Sequence, residues 1–138
     1  MGGCVVYNKC SIIERCIQRI HEEYENNPKN LENYTKQDSI ILNIQRGCEA
    51  AIDLAMHIIA ENKWGIPQSS REAFDILRQE NCLTESLTES LTESLKSMGF
   101  RNIAVHNYQP LNLKIVHQII ERQLDDLKEF SSIILHKF

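Results

Sequence analysis

Apolar residues return every three or four positions along almost the whole chain, and nowhere do they alternate over a strand's length. That spacing lines one face of an α-helix, so it predicts an all-α fold. Ile12, Ile13, Cys16, Ile17, Ile20 and Tyr24 mark a first helix over about Val5 to Asn26, with Glu22, Glu23 and Glu25 toward water. Asn26-Asn27-Pro28 stops it, because proline disfavours helix in the residue before it. A second helix is expected from about Thr35 to Asn62, Thr35 and Asp38 forming a capping box. Its buried face reads Ile40, Ile41, Ile44, Cys48, Ala51, Ile52, Ala55, Met56 and Ile59. Trp64-Gly65-Ile66-Pro67 breaks the pattern. Ser69 and Glu72 then make a capping box for a third helix through about Gln79, with Phe74 and Leu77 inward.

The fourth helix begins near Thr84 and repeats Thr-Glu-Ser-Leu three times, to Leu95. Leu83, Leu87, Leu91 and Leu95 recur every four residues, a stripe that drifts about 40° per step. Three copies are too short for a solenoid and read as added helical turns. Pro110 ends this segment, and Asn112 caps a last helix reaching about Leu135 on Leu113, Val116, Ile119, Ile120, Leu124, Leu127, Phe130 and Ile134. The expectation is one domain over residues 1–138, an antiparallel bundle of about five helices.

The 138 residues include 42% hydrophobic and 25% charged side chains, enough for one core. No apolar run approaches the roughly 20 residues of a membrane helix. A net charge of −4 argues against coating nucleic acid by bulk attraction. The five cysteines lack a Cys-x-x-Cys pair, and with no signal peptide they are expected as reduced thiols in a cytoplasmic protein. Cys4, Cys10 and Cys16 are evenly spaced but fall about 120° apart on a helix, so they do not converge on a metal. The cysteines read as small core residues.

Most catalytic patterns are missing: there is no Glu-x-x-His, no His-Glu-x-x-His and no phosphate-binding loop. His21, His57, His117 and His136 read as isolated surface or packed imidazoles. One window differs. Between Ser94 and Ile120 there is no acidic residue, although the chain holds 19 acids. The window carries Lys96, Arg101, His106, Lys114 and His117, and concentrates Arg101, Asn102, His106 and Tyr108 within eight residues. These groups suit a phosphodiester: a guanidinium clamps its oxygens and an imidazole moves protons near pH 7. Composition alone favours a plainer reading, a helix end at which Arg101 and His106 offset the macrodipole.

On one straight helix Arg101 and Tyr108 share a face, and Asn102 can touch and orient His106. Arg101 and His106 are about 140° apart, so aiming both at one phosphate needs an unwound helix end or a second copy of the chain. A two-fold dimer would supply that copy and double the positive charge in one cleft.

Arg101-x4-His106-x-Tyr108 resembles the R-x4-H-x-Y signature of HEPN-domain toxins, the HepT-like ribonucleases of HEPN/MNT toxin–antitoxin pairs. Glu14-Arg15-Cys16-Ile17-Gln18-Arg19-Ile20 and Gln37-Asp38-Ser39-Ile40-Ile41-Leu42-Asn43-Ile44-Gln45 resemble that family's first two helices; the Thr-Glu-Ser-Leu expansion departs from it. The resemblance implies a homodimeric, metal-independent endoribonuclease acting on tRNA or mRNA. Arg101 would bind the scissile phosphate, His106 would be general acid/base, and Asn102 would support it. The ribose 2′-hydroxyl would attack the adjacent phosphorus. The resemblance also implies silencing by a partner nucleotidyltransferase antitoxin of the MNT type, which AMPylates Tyr108. ATP and Mg²⁺ would then serve the partner's reaction, leaving this chain without a cofactor. The alternative is a non-catalytic helical subunit that presents a nucleotide or substrate to a nucleotidyltransferase.

Overall fold

A computed structural model describes residues 2–94 and 113–138. Every regular element among them is helical. Helix α1 (Gly2–Tyr24) buries Val6, Cys10, Ile13, Ile17, Ile20 and Tyr24 on one stripe. It ends two residues before the expected stop, because Glu25 and Asn26 both turn left-handed, at φ 52° and 54°. Asn30 Nδ2 donates to the freed Tyr24 carbonyl at 2.6 Å and closes the helix end. A 3₁₀ turn absent from the sequence expectation follows over Pro28–Glu32, with Asn27 accepting from the Lys29 N–H and Leu31 buried.

Helix α2 (Tyr34–Asn62) is the longest element described, about 43 Å by its 29 residues. Its cap is not the expected Thr35–Asp38 box. The Asn33 side chain, on extended backbone, accepts from the Lys36 N–H at 3.1 Å, so the helix starts one residue earlier. The buried face is also rotated from the expected one. Gly47, Leu54 and Ile58 are fully covered, while Cys48, Ile52 and Met56 lie at its margin. The cause is that α2 is packed by α1 on one side and by the third and last helices on the other. Lys63 closes α2 in the left-handed region, its N–H on Ala60, with the Trp64 N–H reaching Ile59, a Schellman ending. Gly65, at φ 135°, then takes a conformation that a side chain would resist.

Helix α3 (Ser70–Gln79) starts as the sequence implies: Ser69 Oγ accepts from the Glu72 N–H at 3.1 Å. The return bond differs by one residue, because Glu72 accepts from the Gln68 N–H, not from Ser69's own. Phe74 meets Phe130 edge-on at 5.4 Å and ties α3 to the C-terminal helix. Helix α4 begins after Thr84, whose hydroxyl accepts from the Leu87 N–H, and is described over residues 85–94. Leu83, Leu87 and Leu91 point inward as the four-residue repeat requires. Thr88 and Thr92 donate to the carbonyls one turn back, which satisfies hydroxyls pressed against the bundle.

The chain returns as α5 (Leu113–Gln118), passes through a π turn (Ile119–Gln123) and continues as α6 (Leu124–Lys137). The π turn was not expected, and Asn112, the expected cap, lies outside the described residues. Val116, Ile119, Ile120, Leu124, Leu127, Phe130 and Ile134 are all buried, as their spacing predicts. Of the cysteines, Cys10, Cys16 and Cys82 are core residues and Cys48 is half-buried. Cys4 is exposed, a correction to the sequence reading: it lies two residues, about 200°, from the buried Val6. Among the described residues no helix is long and apolar enough to cross a membrane.

Candidate functional site

Arg101, Asn102, His106 and Tyr108 all lie outside the described residues, as do Leu95, Pro110 and the end of the Thr-Glu-Ser-Leu repeat. The structure describes the frame on either side of them. On one side, α4 delivers Ser94, fully buried, whose hydroxyl donates to Asp126 Oδ2 on α6 at 3.0 Å. Burial raises the Asp126 carboxyl above its usual range, partly opposed by this bond. On the other side the chain re-enters at Leu113. Thirteen positions separate Leu113 from Asp126 along the run of α5, π turn and α6.

The re-entry end carries a polar cluster. Tyr24, the last residue of α1, is fully buried, and its hydroxyl lies 2.5 Å from His117 Nδ1 and 3.3 Å from Glu121 Oε1. Every group is satisfied when Nδ1–H of His117 donates to the phenol oxygen and the phenol donates to Glu121. His117 and Glu121 also stand 3.9 Å apart across one helical turn. Burial, then the Glu121 charge, pushes the Tyr24 phenol up and keeps it protonated as a donor. Glu121 belongs to the π turn, a geometry frequent at functional sites. Beside the cluster, Pro28, Leu31, Glu32, Lys114, His117 and Gln118 line a cleft of about 530 Å³.

Sequence reasoning placed Tyr24 on an apolar stripe and left His117 isolated. The structure brings them together across 93 positions. The local signal was the four-residue step from His117 to Glu121. Of the other imidazoles, His57 is half-buried with Nε2 3.7 Å from Glu61. Among the described residues no group of three or more His, Cys, Asp or Glu is arranged to hold a metal ion.

Comparison with known proteins agrees with this architecture. Residues 13–134 match the HepT-like family, described as ribonuclease HepT-like. The mRNA nuclease HepT of Shewanella oneidensis is 45% identical over 130 residues, covering 94% of this chain and 96% of that protein. The solved structure of a tri-AMPylated Shewanella oneidensis HEPN toxin in complex with MNT antitoxin matches at a TM-score of 0.81 and 45% identity, over 94% of this chain and 96% of that one. A toxin–antitoxin structure with AMP-PNP matches at a TM-score of 0.83 and 42% identity, over 94% and 95% of the two chains. Family, sequence and fold therefore agree across nearly the whole length: the chain belongs to the ribonuclease HepT-like family.

Proposed function

We propose that this chain is the toxin of a toxin–antitoxin pair, a cytoplasmic endoribonuclease that cuts mRNA and is silenced by AMPylation. One observation carries the reading. The R-x4-H-x-Y residues stand in a chain 45% identical, over nearly its whole length, to an mRNA nuclease. Arg101 binds the scissile phosphate and stabilises the charge that develops on it. His106 accepts the proton of the ribose 2′-hydroxyl as the 2′-oxygen bonds to phosphorus. The bond from phosphorus to the 5′-oxygen then breaks, and the departing oxygen takes a proton from an imidazolium. The products are a 2′,3′-cyclic phosphate and a 5′-hydroxyl. Asn102 orients His106. A two-fold dimer brings two copies of these groups to one cleft, and proton transfer with charge stabilisation proceeds without a metal.

Tyr108 is the regulatory residue. A nucleotidyltransferase antitoxin of the MNT type transfers AMP from ATP to its hydroxyl and releases pyrophosphate. Each added phosphate brings negative charge beside Arg101 and occupies the cation that RNA needs. The relative solved in tri-AMPylated form with its MNT antitoxin supports this reading.

The test is cleavage of RNA by purified protein expressed without antitoxin. His106→Ala and Arg101→Ala are each expected to lower cleavage at least 100-fold with the fold retained, and EDTA is expected to leave cleavage intact. Co-expression with the antitoxin should add AMP masses to the peptide containing Tyr108. Unchanged cleavage by His106→Ala would remove the catalytic assignment.

A further inference from the structure

We propose that the cleft between α1 and α2, walled by Arg15, Arg19 and Arg46, is a second contact for the RNA backbone, outside the Arg101–Tyr108 motif. The proposal rests on the ribonuclease reading, and it names where more of the same substrate is held.

The cleft has a volume of about 580 Å³, and among the described residues no carboxylate lines it. In a chain of net charge −4, three permanent cations on two helices therefore face one acid-free hollow. The placement follows from the helix crossing. Helix α2 crosses α1 at Gly47, where an added Cβ would sit 3.6 Å from Cys16 Cβ, in ordinary van der Waals contact. Arg15 flanks Cys16 on α1 and Arg46 flanks Gly47 on α2, so the contact that seals the floor draws both guanidinium groups to its rim. Both favour the ionised form of the Cys16 thiol, although burial outweighs them and keeps that thiol protonated. Arg19 stands one helical turn beyond Arg15, about 6 Å along the axis.

All three arginines are exposed, and no described carboxylate lies within ion-pair distance of Arg15 or Arg46. Arg19 meets Glu22 at 3.6 Å and Glu23 at 3.8 Å, exposed pairs that water and salt loosen and a phosphate can displace. Ser39 and Asn43 supply neutral polar groups at the wall, Asn43 Nδ2 being held on the Ser39 carbonyl at 2.8 Å. Guanidinium forks without carboxylate partners fit phosphate oxygens in pairs. The occupant favoured by this chemistry is a phosphodiester chain.

The test is binding of a fluorescent, 2′-O-methylated single-stranded oligoribonucleotide, which lacks the attacking hydroxyl, to the full-length protein across a salt series. Arg15→Gln/Arg46→Gln is expected to weaken binding about tenfold and to reduce the slope of log affinity against log salt by about 1.4, two phosphates at about 0.7 each. Arg15→Lys/Arg46→Lys, which keeps both charges, should restore most of the slope. Lys63→Gln/Lys128→Gln, the same charge loss at exposed positions elsewhere, should change affinity less than twofold. The proposal is overturned if the folded glutamine variant binds with the affinity and slope of the parent. It is also overturned if that variant keeps RNA binding but loses association with antitoxin or a second copy, which would make the cleft a protein interface. Cleavage of unmodified RNA by the parent separates the two readings. If the parent cleaves and the variant binds normally, only the cleft assignment falls; if the parent neither cleaves nor binds, the ribonuclease reading falls and the cleft with it.

Discussion

Gly47 offers a direct measure of how tightly the first two helices are packed. It sits in the interior of α2, where glycine costs about 1 kcal/mol relative to alanine. A glycine at a helix crossing usually marks a contact too close for a side chain, which would make alanine destabilising. The distances here say otherwise. A Cβ at this position would lie 3.6 Å from Cys16 Cβ and 3.9 Å from Leu127 Cδ1, both ordinary van der Waals separations. Gly47→Ala therefore recovers the helical preference, and its buried methyl adds up to about 0.8 kcal/mol. The expected gain is about 1–1.5 kcal/mol, or roughly 3–5 °C in Tm for a chain of this size. Thermal and urea unfolding of the two proteins would measure it. Gly47→Leu is the contrast: its outer atoms must enter space already filled by Cys16 and Leu127, and it should cost about 1–3 kcal/mol. If alanine destabilises as leucine does, the two helices cross too closely for a methyl group and this reasoning fails.

Other expectations follow from single groups. Ser131 is fully buried and its hydroxyl finds no hydrogen-bond partner among the described residues, so Ser131→Ala should be neutral or stabilising by up to about 1 kcal/mol in urea unfolding. Clear destabilisation would reveal a missed bond. The Asp126 carboxyl is raised by burial, so the folded state holds its proton above pH 3.8, and stability from this group falls as pH rises through the raised value. Asp126→Asn keeps an acceptor for Ser94 and cannot ionise, so its Tm relative to the parent should climb as pH rises above 3.8. A constant difference would refute this. Burial holds the Cys48 thiol up at about 12 and also raises Cys10, Cys16 and Cys82. Brief iodoacetamide treatment at pH 8 should therefore modify the exposed Cys4 alone, as one added mass; rapid labelling of Cys16 or Cys48 would contradict it.

The helices were legible because burial imposes a period on the sequence, and Phe74, Leu77, Leu87 and Phe130 occupy the core as that period requires. Boundaries were less so, because capping depends on a single bond. Thr35 and Asn33 are both acceptable caps by composition, and only the extended backbone at Asn33 decides between them. The 3₁₀ turn and the π turn leave no periodic trace in five residues. The motif residues, which lie outside the described residues, stand out in the sequence for a different reason: all four fall within eight positions, so their spacing alone carries information. Tyr24 and His117 are too far apart in sequence for that, and Arg46 meets Arg15 only because a glycine and a cysteine face each other.

The tetrapeptide run has an arithmetic consequence for the length of its helix. Each copy is four residues, a little more than one helical turn. In a helix like α4 each leucine falls about 40° round from the one before, close enough that Leu83, Leu87 and Leu91 all stay buried. What changes is the reach: one unit gained or lost shifts the chain beyond it by about 6 Å and swivels it by about 40°. Copy number is thus a stepped adjuster of how far the helix carries the chain.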